Sequence, residues 1–239
     1  MSGVRSVDSN QEGIHKDLEK LVRKYAQTQY LRPIASHTRE AFLLSEKALE
    51  SWAKGTGKAD APVVIDSGCG TGESTIHLAR RFKDCFVIGV DKSAMRLTKA
   101  GNAVQLDNEP VPPNAYWVRA ELLDFWRLAQ EAHWNIQYHA VFYPNPWPKQ
   151  SEGTRRFHMH PIFPTMMSLA PVTELRTNWE IYAREFAAAT EILASENPQA
   201  ALSSLHAECE SFTPSSPETA FERKYAAAGQ PLWRVIVKR

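Results

Sequence analysis

The chain has 239 residues, 43% of them hydrophobic and 23% charged, the balance of a globular protein that buries one sizeable core. A formal net charge of +1 excludes a global attraction for polyphosphate, so any nucleic-acid binding must come from a local basic patch. Cys69, Cys85 and Cys209 form no CxxC pair, which argues against a disulfide framework or a zinc site and for a reducing cytoplasm; the polar N-terminus lacks a signal-peptide pattern, and no apolar run nears the roughly 20 residues of a membrane span.

Ile14, Leu18, Leu21, Val22 and Tyr25 recur at spacings of three and four, so 14–29 reads as an amphipathic helix. Arg32-Pro33 interrupts it, and Ser36 or Thr38 can cap a second helix with Phe42, Leu43, Ala48, Leu49 and Trp52 on one face. Residues 1–60 are therefore expected to be an N-terminal helical extension, and 61–239 an α/β domain. Pro62-Val63-Val64-Ile65-Asp66 is a short apolar run that meets glycines, as expected of a buried parallel strand. A helix over 74–82 and a strand over 86–91 complete a βαβ unit. The alternation continues with a helix over 93–106 and strands over 115–118 and 140–143. The stretch YPNPWPKQSEGTRRFHMHP, 143–161, suits a loop. Beyond it we read helices at 161–169 and 180–194 and strands at 173–177, 200–206 and 232–237.

Asp66-Ser67-Gly68-Cys69-Gly70-Thr71-Gly72 ends a strand and opens a helix, where glycines let a ligand approach the backbone. Asp91 closes the next strand, and a carboxylate there can accept two ribose hydroxyls. The segments VVIDSGCGTGEST and VIGVDKS resemble the first two cofactor motifs of class I S-adenosylmethionine-dependent methyltransferases. That resemblance implies a Rossmann-like fold with a mostly parallel seven-stranded sheet and helices on both faces, and S-adenosylmethionine as cofactor. It places Asp66, Gly68, Gly70 and Gly72 at the methionine part, Asp91 at the ribose and Glu121 at the adenine amine.

The methyl acceptor belongs after the fourth strand, because doubly wound folds bind ligands at the carboxyl ends of parallel strands. There the prolines stiffen the chain, Trp147 offers a flat face for a base, and Asn145 can donate and accept hydrogen bonds. Lys149, Arg155 and Arg156 supply the local basic patch. The stretch resembles the FPDPW-K motif and paired arginines of the tRNA (guanine-N7)-methyltransferase family. TNWEIYA, 177–183, resembles that family's TDWExYA, and TAFE, 219–222, its TKFE; with the glycine turn, four ordered motifs span 63–239.

The resemblance implies tRNA as partner and an acceptor site of Asn145, Trp147, Lys149, Arg155, Arg156, Asn178, Thr219 and Glu222, with Asn145, Lys149 and Glu222 nearest the chemistry and Asn145 also against the cofactor. Two family aspartates are asparagines here, Asn145 and Asn178, and the first motif reads DSGCG where the family has EIGFG. Slower tRNA methylation or a changed acceptor is therefore expected. Thr219 and Glu222 also form a T-x-x-E helix-capping pattern. Asn145-Pro146-Trp147 also resembles the asparagine-proline-proline-aromatic motif that holds an exocyclic or amide nitrogen, though Trp147 replaces its second proline; a third reading is a non-catalytic cofactor- and RNA-binding protein. His158 and His160 read as loop histidines without metal partners, Cys69 as structural, and Trp179 as a second tryptophan with a role beyond packing. No membrane or metal partner is expected, and a monomer is the default oligomeric state.

Overall fold

A computed structural model describes residues 7–102, 105–106, 109–196 and 200–239. The chain divides into two compact units, 32–140 and a second made of 1–31 with 141–239. The stretch expected to be one N-terminal extension is thus shared: its first part belongs with the C-terminal unit and its remainder with the 32–140 unit.

In the C-terminal unit the first helix is α1 (Leu18–Ala26), which buries Leu18 and Val22. In the 32–140 unit α2 (Ser36–Thr56) ends at Gly57, whose φ of 72° is the left-handed cap that glycine adopts without a Cβ clash. Strand β1 (Val63–Ser67) is buried along its whole length, as its apolar run requires of a strand covered on both faces. It leads into α3 (Glu73–Arg81) and β2 (Phe86–Asp91). Then come α4 (Ala94–Asn102), the short antiparallel pair β3 (Gln105–Leu106) and β4 (Glu109–Pro110), and β5 (Ala115–Arg119). The helix expected over 93–106 therefore stops at Asn102; residues 103–104 lie outside the described residues.

Helix α5 (Leu122–Glu131), unmarked in the sequence reading, buries Phe125, Trp126, Leu128 and Ala129. Strand β6 (Ile136–Phe142) follows, longer than the 140–143 run that suggested it. Its first five residues belong to the 32–140 unit, and Val141 and Phe142 to the other.

In the C-terminal unit two 3-10 turns, Gln150–Arg155 and Phe157–Met159, shape the proline-rich loop. The remaining elements are α6 (Phe163–Ser168), β7 (Val172–Thr177), α7 (Glu180–Glu196), α8 (Ala200–Ser203), β8 (His206–Phe212), α9 (Ala220–Ala227) and β9 (Leu232–Lys238). The strand expected at 200–206 is corrected. Ala200-Ala201-Leu202 are strong helix formers and take a helical turn, and the strand begins only at His206.

The sheet order is β5-β2-β1-β6-β7-β9-β8, giving a mostly parallel seven-stranded α/β sheet. β1 pairs in parallel with both β2 and β6, and β2 with β5, while β9 runs antiparallel between β7 and β8. No helix among the described residues is long and apolar enough to cross a membrane.

Candidate functional site

The glycine turn between β1 and α3 lies in the 32–140 unit. Gly68, Gly70 and Gly72 have φ values of 79°, 57° and 79°, a left-handed run that only glycine adopts without strain. Asp66 is buried at the end of β1, and its Oδ2 accepts the hydroxyls of Ser74 at 2.6 Å and Thr75 at 2.7 Å, tying the strand end to the first turn of α3. Asp91 is also buried. Its Oδ2 accepts Gly70 N–H at 3.1 Å and its Oδ1 accepts Ser93 N–H at 2.7 Å, so one carboxylate fixes the middle of the turn to the end of β2. A Cβ added at Gly68 would meet no heavy atom within 4 Å, so the turn faces open space. That open backbone, with an acidic residue at the next strand end, fits S-adenosylmethionine.

Gly89 faces the other side of the turn. A Cβ there would run into Thr75 Oγ1 and come within 2.9 Å of Trp117 and 3.0 Å of Cys69 Sγ. Burial, with Asp66 and Asp91 nearby, pushes the Cys69 thiol well above its usual range, which suits a packing residue and not a nucleophile. Glu121 is half-buried at the N-cap of α5, and its N–H is donated to the buried Thr38 hydroxyl on α2 at 3.2 Å. α2 thus supports an expected adenine-binding residue.

The loop expected to bind the acceptor lies in the C-terminal unit. Tyr143 and Trp147 have φ values of 52° and 47°, left-handed conformations that bulky residues rarely hold, and such strain concentrates at functional sites. Tyr143 N–H bonds Arg176 O at 2.7 Å. Asn145 and Lys149 are exposed, with no partner among the described residues. Arg155 is exposed too; it pairs with Glu152 at 3.3 Å and lies 4.4 Å over the Trp147 ring, so a cation and an indole form one surface.

Three expectations for this region are corrected. Arg156 is wholly buried: its Nη1 donates to Glu185 Oε2 at 2.6 Å, and its Nε and Nη2 donate to Trp147 O at 3.2 and 2.9 Å. It cannot reach a phosphate from there. Glu222 is likewise buried, accepting the Tyr143 hydroxyl at 3.0 Å, Arg176 Nη1 at 3.0 Å and Glu218 N–H at 2.6 Å. Its carboxylate is engaged with protein groups and does not present itself to a base edge. His158 is a core residue and not a loop histidine, bonded to Glu185 Oε2 at 2.9 Å, whereas His160 packs edge-on against Tyr30.

Thr219 caps α9, its hydroxyl accepting Glu222 N–H at 3.0 Å, so the helix-start reading of T-x-x-E holds in part. The Glu222 side chain bonds the N–H of Glu218 rather than that of the cap residue. Asn178 is half-buried, and Trp179 packs with its ring 4.8 Å from the Arg156 guanidinium.

Sequence reasoning missed Glu174, Arg176 and Glu185. Arg176 gathers three carboxylates, Glu174 at 2.6 Å, Glu222 at 3.0 Å and Glu218 at 3.1 Å. Opposite charges two apart in a strand share one face, so Thr-Glu-Leu-Arg-Thr carried a signal for that ion pair. Burial and the neighbouring Glu222 carboxylate push the Tyr143 phenol far up, which keeps it a hydrogen-bond donor.

A family model for methyltransferases, Methyltransf_4, matches residues 60–235. A tRNA (guanine-N(7)-)-methyltransferase of Neisseria meningitidis serogroup C / serotype 2a is 25% identical over 188 residues, 76% of this chain and 73% of that protein. One from Ralstonia pickettii is 27% identical over 195 residues, 79% of this chain and 70% of that protein. Among solved structures, the 16S rRNA methyltransferase KamB aligns with a TM-score of 0.53 at 16% identity, covering 88% of this chain and 96% of that one. An antibiotic-related methyltransferase aligns at 0.50 and 15% identity, covering 89% and 97%. At such identities these structures support the fold alone.

Proposed function

The chain belongs to the Methyltransf_4 family of methyltransferases, and from that premise we propose that it transfers the methyl group of its cofactor, S-adenosylmethionine, to N7 of a guanine in tRNA. The observation that carries the acceptor reading is the loop after β6, where an exposed amide, an indole and two exposed cations sit on a strained backbone: Asn145, Trp147, Lys149 and Arg155.

Bound S-adenosylmethionine supplies an electrophilic methyl group on a sulfonium. Guanine N7 offers a lone pair and has no proton to lose, so the residues have to orient the base in line and need not supply a general base. Trp147 stacks the base, and the Asn145 carbonyl accepts a guanine N–H. Being neutral, that bond lacks the charge assistance that roughly doubles the strength of a carboxylate bond. Lys149 and Arg155 hold phosphates, and Asn178 and Thr219 border the acceptor. In the cofactor turn Gly68, Gly70 and Gly72 admit the methionine part, Asp66 braces the turn, Asp91 receives the ribose hydroxyls and Glu121 receives the adenine amine.

A second reading is favoured by the burial of Glu222, which leaves Asn145 as an exposed polar group of the loop with no partner among the described residues. In that reading the Asn145 amide holds an exocyclic or amide nitrogen on a different acceptor. The test is mass spectrometry of nucleosides from unmodified bulk tRNA incubated with the protein and S-adenosylmethionine. A gain of N7-methylguanosine supports the first reading, and Asn145→Asp should then raise turnover. No gain, with cofactor binding confirmed by calorimetry, sinks the tRNA reading and turns the search to other nitrogens.

A further inference from the structure

The proline-rich loop is held from a distant part of the chain. Three of its carbonyls have side-chain donors. Ser9 Oγ donates to Pro148 O at 2.7 Å, His15 Nε2 meets Gln150 O at 3.0 Å, and the Arg156 guanidinium donates twice to Trp147 O. Asp17 N–H bonds His15 Nδ1 at 3.1 Å, which assigns the His15 proton to Nε2 and makes that nitrogen the donor.

Arg156 is itself fixed by a buried carboxylate on α7 and by the 9–15 segment. Glu185, buried in the N-terminal half of α7, takes Gln11 Nε2 and His15 N–H on Oε1 at 2.5 and 2.8 Å, and Arg156 and His158 on Oε2. Gln11 closes the ring by accepting Arg156 Nη2 at 3.0 Å. The fit is close. A Cβ at Gly153 would lie 3.1 Å from the His15 ring and 3.3 Å from Met159.

We propose that residues 9–15 are part of the acceptor site, acting through Glu185 and Arg156 as positioning residues that set the conformation of Trp147 and the loop around it. Three arguments carry this. Trp147 holds a left-handed backbone conformation that persists only where its surroundings over-determine it, and its carbonyl accepts two N–H groups of one guanidinium, Nε and Nη2 of Arg156. A buried ion pair adds little net stability compared with apolar packing, so its use here is better explained by the geometry it imposes than by the energy it adds. Among the described residues, the ring of bonds includes one segment from outside 141–239, and that segment donates directly to loop carbonyls on either side of Lys149.

The inference rests on the reading of this loop as the acceptor site, and its test separates the two. His15→Leu removes the donor to Gln150 O, while His15→Gln restores an N–H at nearly the same reach; Arg156→Lys keeps the charge beside Glu185 but cannot fork onto Trp147 O. Each full-length variant is compared with wild type for melting temperature, S-adenosylmethionine affinity, and kcat and KM on a tRNA transcript. We expect His15→Leu and Arg156→Lys to lower kcat at least about tenfold with cofactor affinity within twofold of wild type, and His15→Gln to recover most of the loss. Hydrogen–deuterium exchange serves as a readout independent of turnover. In His15→Leu the amides of Glu152 and Arg156, both hydrogen-bonded in wild type, should exchange faster, and in His15→Gln they should not. If wild type fails to methylate tRNA, the functional reading falls and exchange alone decides the inference. Unchanged exchange in His15→Leu, or unchanged kcat alongside a lowered melting temperature, overturns it and leaves the network a fold element only.

Discussion

The glycine turn and the proline-rich loop both follow a sheet strand and both hold left-handed backbone, but they are held by different kinds of contact. In the turn, the side-chain bonds to Asp66 and Asp91 join residues between 2 and 21 positions apart. Around the loop, Ser9 reaches Pro148 across 139 positions and Gln11 reaches Glu185 across 174. A short-range cluster forms wherever its own segment folds. A long-range one forms only when the whole unit does, so damage to its hub should be global and damage to the turn more local.

The largest expected effect follows from breaking the hub. Glu185→Ala leaves the Arg156 guanidinium buried without its partner carboxylate, a change that costs about 3–5 kcal/mol. Denaturant unfolding should show a loss of that size, and a loss under about 1 kcal/mol would mean that water or another group takes over. The same carboxylate sets an acid limit. Burial alone would raise the Glu185 carboxyl, but the His158 hydrogen bond and the Arg156 charge outweigh it and bring it down to about 2. The folded value thus lies below the unfolded one, so the carboxylate's contribution is complete above about pH 4.5 and is lost as pH falls toward 2. A melting temperature that stays flat from pH 5 to pH 3 would contradict this.

The turn should break more locally. Gly89→Ala puts a methyl group against Thr75, Trp117 and Cys69, and overpacking of this kind costs about 1–3 kcal/mol. Because Thr75 is one of the two hydroxyls on Asp66, the displacement also disturbs the turn, and S-adenosylmethionine affinity by calorimetry should fall further than stability alone accounts for. Full affinity in a destabilised Gly89→Ala protein would show that the turn does not depend on this packing.

What the sequence revealed follows the same division. The βαβ unit, the glycine run and Asp91 were legible because every part lies within one stretch of about thirty residues and each residue type answers a local need. Arg156 was misread because paired arginines in a polar loop look like a phosphate patch, and only the fold brings Glu185 and Gln11 onto one of them while Arg155 stays outside. The sequence places Glu222 both in the acceptor site and at a helix start; the helix start holds because it is local, while burial by Arg176 and Tyr143 is long-range. Helix α5 carries its buried residues at helical spacing, Phe125, Trp126, Leu128 and Ala129, a signal local to the sequence.

The smallest expected effect sharpens the contrast between the two kinds of cation. Lys149 is exposed and has no partner among the described residues, so it can give up hydration to a phosphate, while Arg156 would first have to leave Glu185. Lys149→Ala should weaken tRNA binding at low salt and lower the slope of log K against log salt by roughly 1, with no change in melting temperature. Arg156→Gln, which removes the charge, should leave that slope unchanged, because the buried guanidinium does not meet the polyanion. If the two variants shift the slope equally, Arg156 becomes accessible when RNA binds, and the buried pair is a feature of the free protein only. If neither shifts it, the phosphate contacts lie elsewhere, and Arg155, held over Trp147 and facing solvent, is the next cation to remove.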